Sequence, residues 1–336
     1  MNMITIKNLL ATAILFACLG IAPNAFAASA LVVRLVKEAT YALDASYGSQ
    51  AQYAIAAERL SRAIAEDKSD ASIYVQAARL TVKGGSIVNT QFRAGTVDAY
   101  GELLDRALAL DPANGKAYIL KAEYFHLKQD HVSEQAALDK ARGTGTKDAW
   151  LLIGYGRLHQ ALGHFDQAFA YHQEARAQGL GNDLGQKNAY VAALKWLAGV
   201  AEATGEDKEL RELIDETKRV RDPRDVYTLG SLAEVLVRVG LYDEAIAFSR
   251  ETISAMNYGA ARLTPAAALF GKSAELSLAD KQAIAAPLLA EARGYGFAKA
   301  SVLGRFNLSK PKAAALLPTL DALLKEADPV ERPNAI

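Results

Sequence analysis

The side chains in this sequence with the most evident chemical potential are five histidines, all between residues 126 and 172: His126, His131, His159, His164 and His172. Clustered imidazoles are raw material for a transition-metal site. On a helix such a site wants two ligands three or four residues apart and a third converging on them. The pairs His126/His131 and His159/His164 are five apart, a spacing that rotates the second ring off the face of the first. His172 falls where the surrounding pattern places a core apolar residue and reads as packed. The spacing therefore predicts no metal site. No cofactor is expected either: there is no glycine-rich phosphate loop after a strand, no Gly-x-Ser-x-Gly elbow, no His-Glu-x-x-His and no paired-carboxylate signature. Carboxylates four residues from a basic side chain are plentiful, but that spacing describes a solvated helix face. No catalytic residues are assigned, and the expectation is a protein that is not an enzyme.

The chain has 336 residues, of which 51% are hydrophobic and 23% charged, the balance of an ordered protein. Formal net charge is zero, and no long basic run gives a nucleic-acid footprint. The single cysteine is Cys18, so neither a disulfide framework nor a thiolate metal site is available. Lys7 is the only charge in the first 33 residues; an apolar run from Leu9 to Ala22 follows it, then Pro23-Asn24 and Ala25-Phe26-Ala27. This is the three-part layout of a secretory signal, predicting cleavage after Ala27 and a periplasmic or secreted product. A second reading takes Leu15-Phe16-Ala17-Cys18 as a lipoprotein signal, which would tether the protein to a membrane through Cys18; the bulky Phe16 fits that motif poorly.

The elements that carry these residues repeat. Gly163-His164-Phe165-Asp166-Gln167-Ala168-Phe169-Ala170 is echoed by Gly240-Leu241-Tyr242-Asp243-Glu244-Ala245-Ile246-Ala247. Small residues recur at Ala63, Ala107, Ala141, Ala175, Thr217 and Thr252, at offsets of 44, 34, 34, 42 and 35. Two further registers, Ala78/Ala122/Gly156/Ala198/Ala233 and Tyr74/Tyr118/Leu152/Leu194/Leu229, step by 44, 34, 42 and 35. In the first helical pattern of each unit the large residue precedes the small one by four, so both lie on one face. Neither stripe can be buried by its own helix, so successive pairs must stack. Six units are predicted, at about 37–70, 71–114, 115–148, 149–182, 191–225 and 226–259. Asp44 in the first unit and Glu134 in the third stand where the others have a small residue. Glycine density marks two insertions as loops, Gly84–Gly95 and Gly179–Gly185.

A period near 34, two helices per unit, an aromatic residue or leucine before a small one, and the endings Asp111-Pro112 and Asp222-Pro223 resemble tetratricopeptide repeats. The resemblance implies an all-α fold: a right-handed α-solenoid of about six helix-turn-helix units over residues 28–259. It also implies that the first helices of successive units line a concave groove. Transferred to this sequence, the groove row is Arg79 and Lys83; Lys116, Glu123 and His126; Trp150, Arg157 and Gln160; Lys195 and Glu202; Tyr227, Glu234 and Arg238. Trp150 and Tyr227 could serve as interface anchors or as packing between units. The lysine–asparagine pattern that clamps peptide carboxylates in one subfamily is not evident.

Beyond Leu263 the register fades. Residues 260–328 read as a helical cap closing the array, and 329–336 as a loose tail. The functional expectation is an adaptor of the bacterial cell envelope that holds a peptide segment or folded protein in its groove, acting as a scaffold. Two rivals stand beside it: an envelope enzyme or ligand receptor with its site in the C-terminal helical part, and a membrane-tethered lipoprotein adaptor. The partner's identity and the oligomeric state are not written in the sequence.

Overall fold

A computed structural model describes residues 29–255, apart from 86, 89 and 90. The expected signal segment 1–27, the cap 260–328, the tail 329–336 and the end of the sixth unit lie outside the described residues. Twelve helices occur among the described residues. They are α1 (Ala30–Asp44), α2 (Gln50–Glu66), α3 (Ala71–Lys83), α4 (Thr96–Leu110), α5 (Gly115–Leu127), α6 (His131–Gly143), α7 (Trp150–Ala161), α8 (Phe165–Ala177), α9 (Leu184–Thr204), α10 (Asp207–Val220), α11 (Val226–Arg238) and α12 (Tyr242–Ala255). No helix among them is long and apolar enough to cross a membrane.

The chain divides into two compact bodies, residues 1–193 and 194–336. In the first, the helices pack in consecutive pairs, α1 on α2, α3 on α4, α5 on α6 and α7 on α8. Each first helix also lies against the next first helix: α1 on α3, α3 on α5, α5 on α7. The repeat registers explain this packing. Ala63, Ala107, Ala141 and Ala175 have no exposed surface, and neither do Ala78 and Ala122, so helix axes approach closely where a larger side chain would hold them apart. Capping follows the sequence too. Ser29, Ser49, Asp70, Asn114 and Asp130 each accept a backbone N–H from the first turn of the helix they precede, satisfying a donor that has no intrahelical partner.

In the second body, Leu194, Ala198, Leu229 and Ala233 are fully buried, as are Leu213, Ile214, Thr217 and Thr252, and α11 packs on α12. The turns after α7, α9 and α11 use Gly163, Gly205 and Gly240 at φ 75°, 79° and 84°, a left-handed backbone that glycine adopts without steric cost. The equivalent position after α5 is Gln129, at φ 58°.

Three details differ from the sequence reading. The first unit starts at Ala30, seven residues early, because Ser29 caps a helix there. The Gly84–Gly95 insertion is not a plain loop: Ile87–Val88 and Gln91–Phe92 form a short antiparallel hairpin before α4. α9 begins at Leu184 and not near 191, so Leu184 and Gly185 belong to a helix of 21 residues.

Candidate partner-binding surface

Four first-helix side chains of the predicted row come together in the first body, and each is tied to a neighbour. The Arg79 guanidinium pairs with the carboxylate of Asp44 from the end of α1 and donates to Gln76 Oε1 at 2.8 Å. Lys116 Nζ lies 2.6 Å from Asp148 Oδ2. Glu123 Oε2 accepts from the buried Tyr100 hydroxyl at 3.2 Å. Arg157 Nε stands 3.9 Å from Glu134 Oε1. These charges, from α3, α5 and α7, share one space. The Lys83 ammonium feels Arg79, Asp44, Glu123 and Lys116, and the Tyr100 hydroxyl feels Glu123, Arg157 and Arg79.

Lys83 differs from the rest. Among the described residues it forms no ion pair, although its side chain is exposed. Desolvation of its ammonium by the surrounding protein pushes its pKa down, and Arg79 adds to this against the opposing pull of Asp44 and Glu123. Asp148 shows the reverse balance. Burial raises its carboxyl, but Lys116, the Trp150 N–H and Gln186 more than offset that and hold it below the usual carboxylate range.

The first turns of α9 close one side of this space. Trp150 Nε1 donates to the Gly185 carbonyl at 3.0 Å. Gln186 accepts from the Ala149 N–H at 2.9 Å and donates to Asp148 Oδ1 at 3.2 Å. Asn188 donates to the Asp44 carbonyl at 2.9 Å and accepts from the Tyr47 hydroxyl at 2.9 Å. A Cβ on Gly185 would lie 3.1 Å from Asp44 Oδ2, so glycine permits the approach. The Gly179–Gly185 insertion, read from sequence as a loop, leads into this strap. Trp150 is accordingly half-buried, packed against one apolar cluster shared by the third and fourth units and another shared by the fourth unit and α9, and its indole N–H is already used. Gln160 is exposed on α7.

In the second body Glu202 and Arg238 form a two-bond pair, Nε to Oε1 at 2.7 Å and Nη2 to Oε2 at 2.8 Å. Lys195 is pushed down by burial, with Asp225 and Glu234 acting against it. Tyr227 and Glu234 are half-buried on α11.

His126 makes a different arrangement. Its Nδ1 lies 3.1 Å from both oxygens of Glu134, and His131 Nδ1 lies 3.0 Å from Glu134 Oε2. Glu134 is completely buried. Burial works against its charge, yet the hydrogen bonds from His126 and His131 and the charge of Arg157 keep its pKa lowered. The sequence spacing missed this cluster because His126 and His131 lie on two helices that face each other across a turn, where the three-or-four rule for one helix does not apply. The signal that could have found it is Glu134 itself, a carboxylate in the register of the buried Ala168 and Ala245, with a histidine three residues before it.

No protein-family model matches the chain, and no curated protein matches it. Solved structures do. One is Cut9 in the APC/C hetero-tetramer Cut9-Hcn1, at 15% identity and a TM-score of 0.57, covering 94% of this chain and 52% of that one. Another is yeast Tom70, at 15% identity and a TM-score of 0.51, covering 96% of this chain and 71% of that one. The chain spans about half the length of the first. At these identities the likeness is one of fold. With two sequence registers fully buried, the third buried apart from the half-buried Tyr118, and helix pairs stacked unit on unit in the first body, the chain folds as a tetratricopeptide-repeat protein.

Proposed function

We propose that this chain is a non-catalytic adaptor of the bacterial cell envelope, receiving a protein partner on the charged faces of its first helices. Lys83 carries the reading. Arg79, Lys116 and Arg157 each face a carboxylate of the chain, and Glu123 holds a hydroxyl. Lys83 is the exposed cation in this space for which the described residues offer no ion-pair partner. A carboxylate brought by a partner would complete it, and partial desolvation makes such a pair stronger than one on an open surface. The strap of α9 occupies one side of the space, so a slender acidic segment fits better than a broad folded face. The apolar run of residues 9–22 and Ala25-Phe26-Ala27 support export, with function outside the cytoplasm.

The test is crosslinking in living cells followed by identification of the captured proteins, with Lys83→Glu and Lys83→Gln in parallel. The expected result is one recurring partner, lost with Lys83→Glu and weakened with Lys83→Gln, while circular dichroism shows unchanged helix content. Equal capture by all three proteins refutes the reading.

A further inference from the structure

The geometry points to a divalent transition-metal site at the turn between α5 and α6, with His126 Nδ1, His131 Nδ1 and Glu134 Oε2 as ligands and zinc as the ion it fits best. His126 lies in the last turn of α5. His131 opens α6, and Glu134 lies on the same face three residues on. One candidate donor atom from each of the three lies within 4.8 Å of the others, and both imidazole nitrogens stand 3.0–3.1 Å from one carboxylate oxygen. Zinc bonds of about 2.0–2.1 Å in tetrahedral geometry place ligand atoms about 3.3 Å apart. An ion at the centre therefore needs each histidine–carboxylate contact to lengthen by only a few tenths of an ångström, with the two imidazole nitrogens, already within 4.8 Å, turning toward it.

The surroundings suit an ion as well as the distances do. Two imidazoles and one carboxylate are a zinc ligand set that leaves the fourth position to water. Glu134 has no exposed surface, whereas about 27% and 29% of the His126 and His131 side chains remain exposed; the ion has both a buried anchor and a route in. The second carboxylate oxygen, Oε1, faces Arg157. Such an outer contact fixes a ligating carboxylate in orientation. The rest of the repeat shows why this is not ordinary core packing. Ala168 and Ala245 fill the equivalent position, and a carboxylate put there needs compensating charge. A bound divalent ion would supply it and would clip the two helices of the third unit together.

The experiment uses the full chain, stripped with a chelator, titrated with zinc and, separately, with cobalt(II). Zinc is expected to raise the unfolding temperature at micromolar concentrations, and cobalt(II) to give the intense visible absorption of a tetrahedral site. His126→Ala and His131→Ala should each weaken binding by at least about tenfold. His131→Gln keeps a donor for Glu134 and removes the imidazole, so it should retain the wild-type fold by circular dichroism while losing the cobalt spectrum. His159→Ala serves as the control, since His159 and His164 form a second pair with Nδ1 atoms 3.4 Å apart, and it should bind as wild type. Absence of both the temperature shift and the cobalt absorption overturns the proposal. So does unaltered binding in His131→Gln, or loss of binding in His159→Ala.

Discussion

Gly156 and His172 form a reciprocal pair that a mutant cycle can dissect. A Cβ built on Gly156 would lie 2.6 Å from His172 Nε2 and 2.8 Å from its Cδ2, well inside contact distance. By register the sibling units place Ala122, Ala198 and Ala78 opposite Leu138, Ile214 and Leu104, all fully buried. The fourth unit has exchanged an alanine–aliphatic pair for a glycine–imidazole pair. Gly156→Ala alone should cost about 1–3 kcal/mol of overpacking, offset by about 1 kcal/mol of helix propensity, for a net loss of about 1 kcal/mol. In a His172→Leu background the ring is gone. There the same change should stabilise by about 1 kcal/mol, since the pair now matches its siblings and the propensity gain is unopposed. The coupling between the two sites is then about 2 kcal/mol. Urea unfolding of the four proteins, followed by far-ultraviolet circular dichroism, measures it. If Gly156→Ala shifts stability by the same amount in both backgrounds, the imidazole does not fill the space beside Gly156 and the reasoning fails.

The same histidine sets a pH dependence: burial pushes its pKa down to about 4 from an ordinary 6.5. Above about pH 6.5 it is neutral in both states and has no effect; as the pH falls the unfolded chain takes a proton that the folded chain refuses. Stability should therefore drop by about 3 kcal/mol between pH 6.5 and 4, and the difference between wild type and His172→Leu across that window isolates this contribution. Asp44→Ala strands the Arg79 guanidinium, since both side chains of that pair are about nine-tenths buried; a loss of about 3–5 kcal/mol is expected, largely recovered in Asp44→Ala/Arg79→Leu, with urea midpoints as the readout. Gln129→Gly relieves a left-handed backbone that sister turns assign to glycine and should raise stability by about 1 kcal/mol; an unchanged or lowered midpoint would show that the turn is not strained.

Much of the fold was legible because a stacked repeat writes its tertiary contacts into one dimension. A buried Ala63 predicts a buried Ala107 only if the same packing recurs, and the irregular offsets agreed across three independent registers. What stayed hidden were interactions that break the repeat. Asp44 and Glu134 read as departures from the small-residue register, and they are the carboxylates that hold Arg79 and the His126/His131 pair. Their partners are set by which helices face each other, which spacing along one helix does not encode. Trp150 was ambiguous for the same reason. The Gly185 carbonyl that accepts its indole N–H lies at the end of the glycine-rich stretch that the sequence assigned to a loop, and the last two residues of that stretch begin a long helix.

Arrays of this kind ordinarily gain stability from neighbours alone, so they can fray from either end and begin folding anywhere. The bonds from Asn188 to Asp44 and Tyr47 reach across 144 and 141 positions and give this chain a clasp. The opening unit cannot reach its finished environment until the first turns of α9 have been synthesised. The first helices would thus wait on the ninth, and a deletion within residues 184–188 would be felt at the opposite end of that body.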